Sequence, residues 1–242
     1  MESTMNMPST ITFTGIDPSN TREDLASLLS ADPRVELGIL YSESRAGSGR
    51  YPPPAWIRET AEWMGFKRAA LHVCGRTVKK VIYGEPLEGK IGSFWHFHRV
   101  QLNGRFNSEE AGQLRHFIGP ESLAYKVITQ FDSNPELHEF CRRPSHQVLF
   151  DSSGGRGLLR QEWPKALLDN ECGYAGGLSP ENLRAELPRI AAVAGRNYWI
   201  DMESSLRDEH DRFSIDRARL ALMAIWHAEG FEQIERKDNG NT

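Results

Sequence analysis

The sequence predicts an α/β chain folded as a single (β/α)8 barrel (a TIM barrel) of eight parallel strands, on three observations. Eight short apolar runs alternate with eight helical stretches from end to end, a rhythm that implies parallel strands and right-handed crossovers. The 242 residues are close to the size of one such barrel. Two segments near the C-terminus, Ala175-Gly176-Gly177-Leu178-Ser179-Pro180-Glu181-Asn182 and Asp201-Met202-Glu203-Ser204-Ser205, each follow an apolar run and precede an amphipathic helix. Loops of that kind after strands seven and eight form the usual phosphate cradle of the fold. Alternation alone leaves an open doubly wound sheet as the structural alternative.

The elements follow in order. Strand Ile11–Thr14 leads to helix Asn20–Ser30, and Val35–Tyr41 to Pro54–Met64, which opens on proline as a first helical turn tolerates. Strand Arg68–Cys74 precedes helix Arg76–Tyr83, tightly bracketed by Gly75 and Gly84, and Gly84–Gly92 reads as loop. Strand Arg99–Asn103 pairs with helix Asn107–Ile118, Ala124–Gln130 with Asn134–Arg142, and Gln147–Asp151 with Arg160–Asp169. Strand Cys172–Ala175 leads to helix Pro180–Ala194. There Ser179 suits the N-cap, Pro180 the first helical position and Glu181 the positive end of the helix dipole. Strand Asn197–Met202 closes the series before helix Ser214–Ala228, whose stripe is Ile215, Ala218, Leu222, Ile225 and Trp226 behind a Ser214 cap. No Pro/Gly linker or low-complexity segment divides the chain, so residues 10–236 form one barrel between disordered tails at 1–9 and 237–242.

Composition narrows the function. The hydrophobic share is 39% and the charged share 26%, as in soluble globular proteins. A net charge of −4 makes no electrostatic case for nucleic acid or an anionic membrane, so an anion must be captured locally. No apolar run approaches the roughly 18 residues of a spanning helix, and the polar start lacks a signal core. Three scattered cysteines, Cys74, Cys141 and Cys172, fit a reducing compartment. The expectation is a cytoplasmic protein, monomer or homodimer, taking a phosphorylated small molecule, with no nucleic-acid or membrane partner.

In such a barrel the site lies at the C-terminal ends of the strands. The polar residues there are Thr14, Asp17, Arg45, Arg50, His72, Cys74, Gln101, Asn103, Gln130, Asp132 and Asp151, followed by the two cradle loops. Asp151 ends Val148-Leu149-Phe150 beside a loop containing Gly154, Gly155 and Gly157. It is placed either for general acid work or merely to cap that turn. The three glycines suit close approach of backbone to a ligand, or a plain turn. Arg50, in Ser48-Gly49-Arg50-Tyr51-Pro52, could clamp a carboxylate or phosphate, or stand solvated in its loop. His96 and His98 have metal-type spacing but no evident third ligand, so no metal site is expected. Cys74 reads as a small buried residue before it reads as a nucleophile, and Cys172 as core.

Six segments in order resemble the phosphoribosylanthranilate isomerase family over about Ile11 to Ala228. Ile11-Thr12-Phe13-Thr14-Gly15-Ile16 is similar to the family's VKICGI, and Ser48-Gly49-Arg50-Tyr51 to its SPRY. Val100-Gln101-Leu102-Asn103-Gly104 is similar to VQLHG, and Leu149-Phe150-Asp151 with Gly154-Gly155-Arg156-Gly157 to LLD…GGTG. Ala175 to Asn182 matches AGGLNPEN at all but one position, and Asp201 to Ser205 is similar to DVSSG.

The resemblance implies an Amadori rearrangement, aminoaldose to aminoketose, in tryptophan biosynthesis, without metal or organic cofactor. It assigns the acid that opens the ribose ring to Asp151 and the anthranilate carboxylate to Arg50. Gln101, Gly154 and Gly155 join the substrate site, and the phosphate would lie on Gly176, Gly177, Ser204 and Ser205. The family's base is a cysteine, and Thr14 stands in its place; a threonine hydroxyl is far too weak an acid to supply an unaided base. Asp17, three residues on, is then the leading replacement and Cys74 a more distant one. Asn103, Arg156 and Ser205 also replace the family's histidine, threonine and glycine. Two further readings stand beside the isomerase: another enzyme on the same scaffold for a different phosphorylated substrate, and a phosphosugar-binding relative without activity.

Overall fold

Strand β1 (Thr10–Thr14) lies between β2 (Val35–Tyr41) and β8 (Tyr198–Met202), with Phe13 opposite both Leu37 and Met202. That double pairing closes the sheet. The computed structural model describes residues 5–85, 87, 91, 94–118, 125–131, 144–151, 159–167 and 171–230. Between β2 and β8 run β3 (Ala69–Cys74), β4 (Arg99–Asn103), β5 (Lys126–Gln130), β6 (His146–Asp151) and β7 (Cys172–Ala175), every neighbouring pair parallel. The closed eight-stranded barrel excludes the open sheet.

Six α-helices stand among the described residues: α1 (Arg22–Ala31), α2 (Pro54–Met64), α3 (Arg76–Ile82), α4 (Ser108–Ile118), α5 (Leu183–Ala191) and α6 (Ile215–Ala228). Their starts follow from side chains that satisfy the first free N–H groups. Thr21 and Asp24 form a capping box on α1, Asn107 and Glu110 exchange the same two bonds on α4, and Ser214 accepts from Arg217 N on α6. The helices cover the outward strand residues, so Phe13, Leu37, Ile39, Val100 and Ile200 join the main core with Leu28, Ile57, Leu114, Leu187 and Leu222.

The inward residues, alternating with these, make a separate and unusually polar interior. Ile128, Leu149, Ala175 and Trp199 form its small apolar cluster. Gly173 is required there: a Cβ on it would stand 2.2 Å from the Trp199 ring. Below this layer Arg99 Nε donates to both Glu36 oxygens at 3.0 and 3.1 Å, and Arg99 Nη2 donates to Thr12 Oγ1 at 2.6 Å. The guanidinium lies 4.7 Å from the Trp199 ring centre. This buried pair fills the end of the barrel opposite the strand C-termini.

Three sequence expectations need correction. Residues 159–167 are not helical; Pro164 lacks the N–H that a helix interior uses. Trp163 instead donates to Glu186 at 2.8 Å, Tyr174 bonds the Pro164 carbonyl and Ala166 N bonds Val193 O, so the segment packs across the barrel wall. Helix α5 begins at Leu183, not Pro180. Asn182 Oδ1 accepts from Ser179 N at 2.8 Å and its amide donates to Gly177 O at 2.7 Å, which holds 180–182 as a turn and removes Ser179 from the cap. Residues 5–9 are also not a loose tail: Ser9 N bonds Tyr198 O, the Tyr198 hydroxyl bonds Asn6 O, and Met7 packs on the core. The expected helix Asn134–Arg142, most of Gly84–Gly92 and the tail 237–242 lie outside the described residues.

Candidate active site at the barrel mouth

A cavity of about 1070 Å³ opens at the C-terminal ends of the strands. It gathers Arg50, Gln101, Asp151, Gly176, Gly177, Ser204 and Ser205, residues spread over more than 150 positions of sequence. His72, Cys74, Asn103, Gln130, Asp201 and Glu203 line it with them. Gly154 and Gly155, with Asp132 and Arg156, lie outside the described residues.

Asp151 is the last residue of β6 and takes a hydrogen bond from Gln130 Nε2 at 3.2 Å. Arg50 reaches the cavity from the loop after β2 and is held on both sides: Nη1 lies 2.6 Å from Glu203 and Nη2 2.6 Å from Asp211. A ligand carboxylate must displace one of these. Burial pushes the Glu203 carboxyl above its ordinary value, with the Arg50 guanidinium opposing the shift.

The cradle loops meet at one corner. Gly176 and Gly177 both have positive φ, 98° and 75°, a conformation that suits glycine and opens the backbone there. Ser205, in the short 3-10 turn Ser204–Leu206, turns its hydroxyl back to Leu178 O at 2.7 Å and ties the loops together. Arg207 does not enter the corner. It packs on Gly15 and pairs with Asp17 at 2.9 Å, where a Cβ on Gly15 would meet its Nη2 at 2.1 Å.

Thr14, which stands in the base's place, and Asp17, the expected replacement in the loop after β1, do not line the cavity. Asp17 accepts from Arg207, from Phe213 N and from the Ser19 hydroxyl and N–H, so both its oxygens are used in joining the first and last loops. The leading replacement base is a structural anchor. Thr14 is 0% exposed. Its hydroxyl donates to Asp201 Oδ1 at 2.7 Å and lies 3.4 Å from His72 Nε2. Burial drives the His72 imidazole down to about 4, so it is neutral at pH 7. Burial likewise pushes the Cys74 thiol up to about 11, against the bond it receives from Asn103 Nδ2 at 3.2 Å, which removes it as a base near neutrality.

Asp201 is the residue that sequence reasoning passed over. It lies near the end of the apolar strand Tyr198–Met202 beside Ala175, is only 7% exposed, and lines the cavity. Burial lifts its carboxyl to about 7; the Thr14 bond and the more distant Arg99 oppose the shift, while Asp151 and Glu36 add to it. Its signal in the sequence is a carboxylate in phase with inward-facing Trp199 on the same strand. His96 and His98 sit elsewhere: His98 packs edge-on to Phe66 and lies near Glu36, and no group of three or more potential metal ligands occurs among the described residues.

No protein-family model matches the chain, and no curated protein does. Solved structures do. A phosphoribosylanthranilate isomerase from Thermus thermophilus superposes with a TM-score of 0.61 at 24% identity, over 90% of this chain and 98% of that one. The same enzyme from Thermotoga maritima gives 0.56 at 17%, over 91% and 98%. A mutant tryptophan synthase α-subunit from Pyrococcus furiosus gives 0.54 at 12%, over 93% and 99%. Likeness at these identities establishes a shared (β/α)8 barrel spanning nearly the whole of each chain.

Proposed function

We propose that this protein is an aldose–ketose isomerase of the phosphoribosylanthranilate type. The observation that carries the reading is the single cavity onto which Asp151, Arg50 and the two small-residue loops all open. The loops would hold the phosphate on backbone N–H groups of Gly176, Gly177 and Ser204. Arg50 would keep Glu203 and exchange its more exposed partner, Asp211, for the carboxylate of the substrate, and its planar fork suits such a partner. Asp151, at the opposite wall, would protonate the ring oxygen and open the sugar to an iminium.

The reading is tested by following loss of phosphoribosylanthranilate fluorescence with purified protein. Turnover is expected, and Asp151→Asn is expected to lower kcat by about 10²–10⁴-fold while inorganic phosphate binds with nearly unchanged affinity. A second reading, a phosphosugar-binding barrel without this activity, is favoured by one observation: the buried Thr14 hydroxyl where the resembling family has its basic thiol. Phosphate binding without turnover would select it.

A further inference from the structure

We infer that Asp201 is the catalytic base of this site, held in position by the Thr14 hydroxyl. The inference rests on the isomerase reading above and names the group that performs its proton abstraction. Three observations carry it. Thr14 is sealed beneath the cavity, yet its hydroxyl is spent on Asp201 Oδ1 at 2.7 Å, so the carboxylate stands between Thr14 and the cavity. Asp151 and Asp201 both align with Ala175, one from β6 and one from β8. With strands about 4.8 Å apart, their backbones lie roughly 10 Å apart across β7, where small Ala175 leaves room at the cavity wall for a sugar between the two carboxyl groups.

The third observation is the choice among carboxylates. Glu203 also lines the cavity, but its Oε1 is taken by the Arg50 guanidinium at 2.6 Å. Asp17 is fully engaged by Arg207 and backbone N–H groups. Among the described residues, only the neutral Thr14 hydroxyl donates a hydrogen bond to Asp201. The charged and titratable groups around it are Glu36 on β2, neutral His72 on β3, Arg99 on β4, Asp151 on β6 and Glu203 beyond β8. A carboxyl so buried ionises near neutrality, which suits a general base at physiological pH.

The step balances. After Asp151 has protonated the ring oxygen and the ring has opened to the C1=N iminium, Asp201 takes the C2 proton. The C2–H electron pair becomes the C1=C2 bond, and the C1=N pair returns to nitrogen. Protonated Asp201 then delivers its proton to C1, while the C2 hydroxyl proton passes to the Asp151 carboxylate and C2 becomes the ketone. Both carboxyl groups end in their starting states.

The test compares wild type, Asp201→Asn, Thr14→Val and Thr14→Ser for phosphoribosylanthranilate turnover across pH, with folding checked by thermal melting. Asp201→Asn is expected to lose about 10²–10⁴-fold in kcat with KM within a few-fold. Wild type is expected to show a rising kcat limb near pH 7. Thr14→Val, which removes the donor that favours the carboxylate, moves that limb up by roughly 0.5–1 in pH, and Thr14→Ser brings it back. A folded Asp201→Asn protein within about threefold of wild-type kcat overturns this assignment and leaves the isomerase reading intact, as does a limb that Thr14→Val fails to move. A wild-type protein without turnover ends both.

Discussion

Burying an ionisable carboxyl at the barrel mouth costs stability in a way that pH exposes, and Asp201→Asn isolates it. The Asp201 carboxyl is lifted from 3.8 to about 7 by burial. Between those values the unfolded chain has released a proton that the folded chain retains. Stability must therefore fall as pH rises through that window and level off above about 7. Integrating from 3.8, the cost is on the order of 2 kcal/mol at pH 5 and 4 kcal/mol at pH 8, at about 1.4 kcal/mol per pH unit. His72 acts with the opposite sign: held down at about 4, it stays neutral in the fold, and its contribution is lost as pH falls from 6.5 towards 4. The two slopes partly cancel in wild type, so the wild-type profile alone is uninformative. The difference between Asp201→Asn and wild type removes the histidine, which both proteins carry. Urea unfolding of the pair at pH 5 and pH 8 should show the asparagine variant gaining on wild type by about 2–3 kcal/mol as pH rises. A difference that stays constant within about 0.5 kcal/mol would refute the raised carboxyl, and with it the poise invoked for catalysis.

Two further outcomes follow from the interior. Arg99→Met leaves Glu36 as a buried carboxylate with only Thr12 and distant partners, and should destabilise the fold by about 3–5 kcal/mol at pH 7, read as a lowered urea midpoint. A loss under about 1 kcal/mol would mean the pair is dispensable. Gly173→Ala drives a methyl to within 2.2 Å of the Trp199 ring, and should cost about 1–3 kcal/mol with a shifted Trp199 emission; unchanged emission and thermal midpoint would contradict that packing.

How far the sequence alone reaches is visible in particular residues. Strands Val35–Tyr41, Arg99–Asn103 and Cys172–Ala175 and helix Pro54–Met64 are found where local pattern puts them, because apolar runs and caps are local signals. Parallel pairing followed from alternation, since parallel crossovers admit few topologies, but alternation fits an open sheet as well, and the closed order β1 to β8 is what the folded barrel decides. Pro164 is a local breaker in the expected helix 160–169, but the Trp163–Glu186 bond that holds the segment joins residues 23 apart, which no local pattern reports. The Asn182 turn that delays α5 likewise depends on backbone groups three and five residues away.

The site divides along the same line. That Asp151, Arg50 and the two small-residue loops would meet at one cavity was readable, because a strand end, a loop arginine and closely spaced glycines announce themselves in the chain. What Thr14, Asp17 and Asp201 do was decided only by closure of the barrel. Closure sets β8 against β1, spends Asp17 on Arg207, and brings the Thr14 hydroxyl to Asp201 across 187 positions of sequence. Residue type determines which groups can donate or accept a proton. Burial and partner determine which of them is free to do so, and both are properties of the folded barrel.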